Sequence, residues 1–267
     1  MAEIPADESN GVSSLYRALM DRIPDDESRL TEKIRDEISK DLARTRTSER
    51  VRTVEGQEEM RRVLLAIAYC MPDVGYCQGM NFIASVLISV AESEEQGFII
   101  FMFLLISKEM KPLFLPGVPE LHLKNFQIAQ LIKFHMPNFF QHLRVIQMTP
   151  DYFTSKWFMT IFACFLPYSL MTPIFDMFLL EGWRAVFRIG VALLRILEPE
   201  LIRMDMVDMC QYFRDTVRFE KVANEYELFS AAAGVRVNKI LVSSLHSLVI
   251  APNLLIVPCA CRFTTKS

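Results

Sequence analysis

The sequence predicts an all-α fold in which helices pack on helices. Three observations predict it. Apolar residues are 51% of the 267 and charged residues 23%, enough of each for a large core beneath a solvated surface. Glycine is scarce, at 9 residues, whereas Phe (20) and Met (15) are abundant, a balance that suits helical packing better than turns and strands. Apolar positions recur at three- and four-residue intervals, and strand-like alternation is hard to find. A chain of this length hides roughly three quarters of its unfolded surface, so its core needs no staple. The predicted organisation is a flexible lead over residues 1–14 and one domain over residues 15–267.

The first helical pattern starts near Ser28. Leu30, Ile34, Ile38 and Leu42 recur every fourth residue, with Glu32, Lys33, Arg35 and Glu37 on other faces. This helix should weaken after Leu42, where Ala43-Arg44-Thr45-Arg46-Thr47-Ser48 is polar. A second helix stands on Met60, Val63, Leu64, Ile67 and Cys70; Pro72 stops it, and Pro72-Asp73-Val74-Gly75 reads as a turn. Residues 81–90 are apolar and helical, the acidic 92–95 form a loop, and 98–106 form a buried run. Pro112, Pro116, Gly117 and Pro119 mark a break, which puts the division between two helical lobes near 112–119. Ile128, Leu131, Ile132 and His135 give a helix that Pro137 ends. Thr149 is the predicted N-cap, with Pro150 in the first turn, of a buried helix through Trp157 and Phe162. Trp183, Val186, Phe187, Gly190, Val191, Leu194 and Leu197 form the clearest amphipathic stripe, and two or three further helices should fill the remainder.

Composition also excludes functions. The net charge is −3, with 29 basic and 32 acidic side chains, so no basic excess points to nucleic acid or an anionic membrane. The cysteines, at 70, 77, 164, 210, 259 and 261, form no CxxC pair and have no His at zinc-ligand spacing; they are expected to be reduced, packed thiols, and no metal is expected. The start, MAEIPADESN, is acidic and polar, unlike a signal peptide. Two uncharged stretches, 157–175 and 240–261, are long enough to cross a membrane. Pro167, Ser169, Thr172 and Pro173 break the first, and Ser243, Ser244, His246, Ser247, Pro252 and Asn253 break the second, so each reads as two shorter buried segments. The expectation is a cytoplasmic protein with no integral membrane segment. No Walker A loop, GxGxxG, HExxH or GxSxG occurs, and His122, His135, His142 and His246 are dispersed.

Two segments stand apart from ordinary core. In Ile38-Ser39-Lys40-Asp41-Leu42-Ala43-Arg44-Thr45, Asp41 and Arg44 are three apart and can meet at a helix end. Alone, that spacing also describes a solvated ion pair. In Gly75-Tyr76-Cys77-Gln78-Gly79-Met80-Asn81, two glycines bracket Tyr-Cys-Gln directly after a helix stop, and glycine permits unusual φ or close approach of another backbone. Alone, this also describes a tight turn with a polar tip. Taken in order, the pattern Ile38-x-x-Asp41-x-x-Arg44, the helix MRRVLLAIAYC and the segment PDVGYCQGMNFIA resemble the TBC-domain family of Rab GTPase-activating proteins. SKWFMTIFACFLP (Ser155–Pro167) and FDMFLLEGWRAVFRIGVALL (Phe175–Leu194) resemble the family's later blocks, and the likeness runs from about residue 16 to about 245. The first pattern alone is weak, but all the blocks in order are very specific. Two features depart from the family. Its Gly-Ile-Pro…Arg…Trp opening has no counterpart beyond Ser14-Leu15-Tyr16, and its Trp-Asp after the third block reads Phe175-Asp176.

The resemblance implies a two-lobed, V-shaped helical domain that is no enzyme by itself. It implies an activator supplying catalytic groups in trans to a GTP-bound Rab-family small GTPase in vesicle trafficking. Arg44 would be the arginine finger that stabilises charge on the γ-phosphoryl oxygens. Asp41 would hold its approach angle, and Gln78 would orient the attacking water through its amide. Tyr76, Gly79 and Asn81 would shape the loop, and Arg62 would support the interface. The partner would bind GTP and Mg²⁺, so no cofactor or metal of its own is implied. The implied protein is a monomer recruited to membranes peripherally through the Rab. The alternative is a catalytically idle TBC module that binds a GTPase or a scaffold.

Overall fold

The computed structural model describes residues 16–23, 30–45, 47–214 and 225–237. The predicted lead over 1–14, the helix start at Ser28, the apolar stretch 240–261, His246, Cys259 and Cys261 lie outside the described residues. Among the described residues all regular structure is helical.

The helices are α1 (residues 16–22), α2 (Glu32–Arg44), α3 (Glu49–Arg52), α4 (Val54–Cys70), α5 (Met80–Val90), α6 (Glu94–Ser107), α7 (Pro119–His135), α8 (Pro137–Val145), α9 (Asp151–Thr160), α10 (Met171–Glu181), α11 (Trp183–Leu201), α12 (Met206–Tyr212) and α13 (Glu225–Ala233). Side-chain oxygens set many of the starts. Thr31, Ser48, Thr53, Ser93 and Asp205 each accept a hydrogen bond from a backbone N–H in the first turn, satisfying a donor that the helix cannot. Pro119 and Pro137 open α7 and α8, where a missing N–H costs nothing.

The principal helix contacts fall into two sets. Helices α2 to α6 pack around α4 and α5, and α7 to α13 pack around α7 and α11. A short 3₁₀ turn, Lys111–Leu113, touches both α6 and α7, and α5 packs against α9 and α10. The predicted stripe on α11 is buried throughout, from Trp183 to Leu197.

Several boundaries differ from the sequence expectation. Helix α2 runs on to Arg44, because the hydroxyl of Thr45 bonds back to the carbonyl of Asp41 and caps the polar end from within. The acidic residues after Ser93 begin α6 instead of forming a loop; Glu94 and Glu95 in its first turn complement the positive end of the dipole. The run 98–106 is only partly buried, since Ile106 is 62% exposed and Phe103 45%. Thr149 caps nothing: Pro150 is itself the cap, already in the helical region, and α9 stops at Thr160. Ile161 and Phe162 then take φ of 48° and 64°, a left-handed break two residues long. That break, with Pro167, splits the uncharged 157–175 stretch between α9, a 3₁₀ turn and α10. No helix among the described residues is long and apolar enough to cross a membrane.

Candidate functional site

The site grows from the C-terminal end of α2. Asp41 and Arg44 are one turn apart, so their side chains share a face. The Asp41 carboxylate is buried, with 7% of its side chain exposed, while Arg44 keeps 56% exposure. One carboxylate oxygen accepts from the Arg44 guanidinium at 2.5 Å. The other accepts from the Tyr76 hydroxyl at 2.6 Å. A buried carboxylate needs such partners, because an uncompensated charge out of water costs several kcal/mol. Asp41 therefore ties an exposed guanidinium to the loop that follows α4. Burial first, then the bond to Asp41, pushes the Tyr76 phenol well above its ordinary range. Tyr76 is thus a neutral donor at any physiological pH.

The loop beyond Tyr76 holds its shape through two glycines with positive φ. Gly75 has φ +60° and Gly79 φ +113°, a region that strains any residue bearing a Cβ. Gly79 also lies against the end of α9; a Cβ there would stand 3.4 Å from Thr160 Cγ2 and 3.6 Å from the Met159 carbonyl oxygen. Between the glycines, Cys77 is half-buried and Gln78 is exposed. Burial, with Glu37 and Asp41 nearby, raises the Cys77 thiol, so it is protonated at neutral pH.

Asn81 closes the arrangement. It is fully buried at the start of α5. Its carbonyl accepts from the Gly79 N–H at 3.0 Å, and its amide donates to the Thr45 hydroxyl at 2.7 Å. Gly79 follows Gln78 and Thr45 follows Arg44, so one side chain links the neighbours of both exposed residues. The structure thus brings Arg44, Asp41, Tyr76, Gln78, Gly79 and Asn81 into one site. Arg62 is bonded elsewhere: its guanidinium grips both carboxylate oxygens of Glu94, beside the buried Tyr16.

Sequence reasoning missed the rest of the scaffold. The connector between α2 and α3 is fastened to α5 by hydroxyls. Thr47 Oγ1 donates to Ser85 Oγ at 2.9 Å, and Ser48 Oγ meets Ser89 Oγ. Ser89 spends its own proton on the Ser85 carbonyl, so Ser48 is the donor in that pair. Asn81, Ser85 and Ser89 stand at every fourth position of an otherwise apolar helix. That polar seam was the available signal. Beside Arg44 opens a cleft of about 320 Å³, whose walls include Thr47, Arg52 and Phe82 on one side and Cys164, Pro167 and Tyr168 on the other. No cluster of three or more His, Cys, Asp or Glu suited to a metal ion occurs among the described residues.

An exposed arginine and an exposed amide, fastened to each other on a rigid edge, suit an anionic partner better than a self-contained active site. Comparison with known proteins agrees. The Rab-GTPase-TBC domain model matches residues 10–202. The chain is 34% identical over 204 residues to the human ecotropic viral integration site 5 protein homolog, covering 75% of this chain and 25% of that protein. It is 32% identical over 183 residues to Rab GTPase-activating protein eat-17 of Caenorhabditis elegans, covering 68% and 20%. The chain thus spans about a quarter or less of the length of these relatives. The fold is similar to that of the Ypt/Rab-GAP domain of Gyp1p, with a TM-score of 0.70 at 15% identity, covering 90% of this chain and 80% of that one. It is also similar to the Chlamydomonas flagellar RabGAP TBC domain, with a TM-score of 0.65 at 21% identity over 84% and 71%.

Proposed function

The chain belongs to the Rab-GTPase-TBC domain family, and from that premise we propose that it accelerates GTP hydrolysis by a Rab-family small GTPase, with Arg44 and Gln78 supplied in trans. Relatives named as Rab GTPase-activating proteins support the class of activity. The observation that carries the assignment of residues is the Asp41 carboxylate, which bonds Arg44 and Tyr76 together and so holds the arginine and the Gln78 loop in one register.

Hydrolysis is slow in a small GTPase because charge on the γ-phosphoryl oxygens has too little compensation. A guanidinium is planar, permanently charged and able to bridge two oxygens. Arg44 is exposed enough to enter a partner's nucleotide site, and Asp41 limits the directions it can take. A carboxamide can accept a hydrogen bond from water while donating one to phosphate. Gln78 has an exposed carboxamide on the loop tip, with glycine on its partner-facing side at Gly79. GTP and Mg²⁺ are the partner's ligands; this chain contributes charge and orientation.

The test is single-turnover hydrolysis against a panel of GTP-loaded Rabs. Arg44→Ala should lower stimulated turnover by roughly 10³–10⁵, the range for arginines supplied in trans. Arg44→Lys should recover little, because a point charge lacks the fork. Both variants should melt within a few degrees of the parent, since the Arg44 side chain is half in solvent. Full stimulation by Arg44→Ala would remove Arg44 from the mechanism. Binding without stimulation by the parent chain would identify an idle, GTPase-binding module instead.

A further inference from the structure

We propose that Gln57, on the first turns of α4, is a positioning residue for Arg44, an inference that rests on the catalytic role assigned to Arg44 above. Gln57 Nε2 donates two hydrogen bonds to backbone carbonyls, one to Thr45 at 3.0 Å and one to Val51 at 2.6 Å. Carbonyl oxygens only accept, so the group facing both must be the NH₂, and the chemistry fixes the orientation of the amide. Thr45 is the residue after Arg44, and Val51 lies in α3. One side chain therefore clasps both ends of the connector on which Arg44 ends.

The clasp has a close-fitting seat. The residue before Gln57 is Gly56, and a Cβ there would lie 2.0 Å from the Arg50 carbonyl oxygen. Only glycine lets α4 approach α3 closely enough for the next side chain to reach both carbonyls. From the other side, α5 holds the connector through Asn81, Ser85 and Ser89. The seam on α5 uses side chains of the connector, whereas Gln57 holds its backbone. The Thr45 carbonyl belongs to the last turn of α2, where helical partners run out, so without Gln57 this acceptor loses a specific donor. The guanidinium itself is tethered only by the single bond to Asp41, so its placement depends on where the end of α2 is held.

The decisive experiment is a double-mutant cycle of Gln57→Met and Arg44→Ala in single-turnover hydrolysis with a GTP-loaded Rab. Methionine has about the same length and volume but no donors. Gln57→Met should lower stimulated turnover by about 10²-fold, the order expected when a reacting group is misplaced by an ångström. The concentration of activator giving half-maximal rate should change far less. Because Gln57 acts through Arg44, the double variant should be no slower than Arg44→Ala alone. Multiplying losses would show that Gln57 has only a general structural role and would overturn the proposal. Amide hydrogen exchange across residues 44–52 gives a second measure that needs no GTPase. Exchange there should quicken in Gln57→Met, and unchanged exchange would overturn the clasp. Gln57→Glu, which keeps the length but offers no donor when ionised, should repeat both results if the methionine variant folds poorly. A parent chain that stimulates no Rab would sink the assigned activity while leaving the exchange result to judge the clasp separately.

Discussion

At the scale of single residues, Tyr76 decides how Asp41 can remain charged while buried. Tyr76→Phe would remove one of the two donors that face its carboxylate. The loss of a hydrogen bond to a buried charged group should destabilise the fold by about 1–3 kcal/mol, measurable by urea unfolding. Tyr76 also carries a pH dependence. Its phenol is raised in the folded state by burial and by Asp41, so the unfolded chain releases that proton first as pH rises. Stability from this group is fully present below about pH 10 and is lost as pH rises beyond it. Tyr16, raised by burial and by Glu94, acts in the same direction. Unfolding free energy should therefore fall between pH 9.5 and 11 in the parent, and less steeply in Tyr76→Phe. An identical slope in both chains would show that Tyr76 ionises normally in the fold. Gly79 makes a separate demand: Gly79→Ala places a Cβ at φ +113°, and such strain costs about 1–3 kcal/mol.

At the scale of elements, the fit between α3 and α4 is the tightest that glycine creates among the described residues. Gly56→Ala sets a methyl against the Arg50 carbonyl, and backbone cannot step aside as a flexible side chain can. Destabilisation of about 3 kcal/mol is expected, at the upper end for overpacking, together with displaced α3 resonances in a heteronuclear spectrum. An alanine variant as stable as the parent would mean that α3 shifts freely. These elements also show what the sequence made legible. Apolar periodicity found α4, α5, α7 and the α11 stripe, because each buries one face against a neighbour. It misplaced the start of α6 and both ends of α9, because caps and a left-handed pair of residues depend on local backbone chemistry. The motif residues Asp41, Arg44, Tyr76, Gln78, Gly79 and Asn81 were found through resemblance, since three-residue spacing alone fits many surface ion pairs. Gln57 escaped notice because a lone polar residue among Glu55, Glu58 and Glu59 looks like solvated surface. Only the fold brings it against the carbonyls of Thr45 and Val51.

At the scale of the whole molecule, function depends on two lines of structure arriving at one edge: α2 with its connector, and the loop between α4 and α5. Asp41 and Asn81 join these lines at two points, so Arg44 and Gln78 are presented as a unit. This has a consequence for the partner. If Gln78 orients the attacking water, the GTPase's own switch glutamine becomes dispensable. A Rab with that glutamine changed to Leu, ordinarily expected to stay GTP-bound, should still be hydrolysed appreciably in the presence of this chain. Gln78→Ala should reduce turnover by about 10²–10³, as for loss of one preorganised donor at a transition state. Gln78→Glu should do no better, because a carboxylate beside the γ-phosphate adds repulsion. Binding to GTP-loaded Rab should survive both changes, since one rim amide is a small part of an interface. Single-turnover hydrolysis with the four pairings of parent and altered glutamines separates the possibilities. Hydrolysis that follows Gln78 and ignores the Rab glutamine supports water orientation in trans. An inert Rab variant paired with a fully active Gln78→Ala chain would return that task to the GTPase and leave Arg44 as the sole group supplied from this edge.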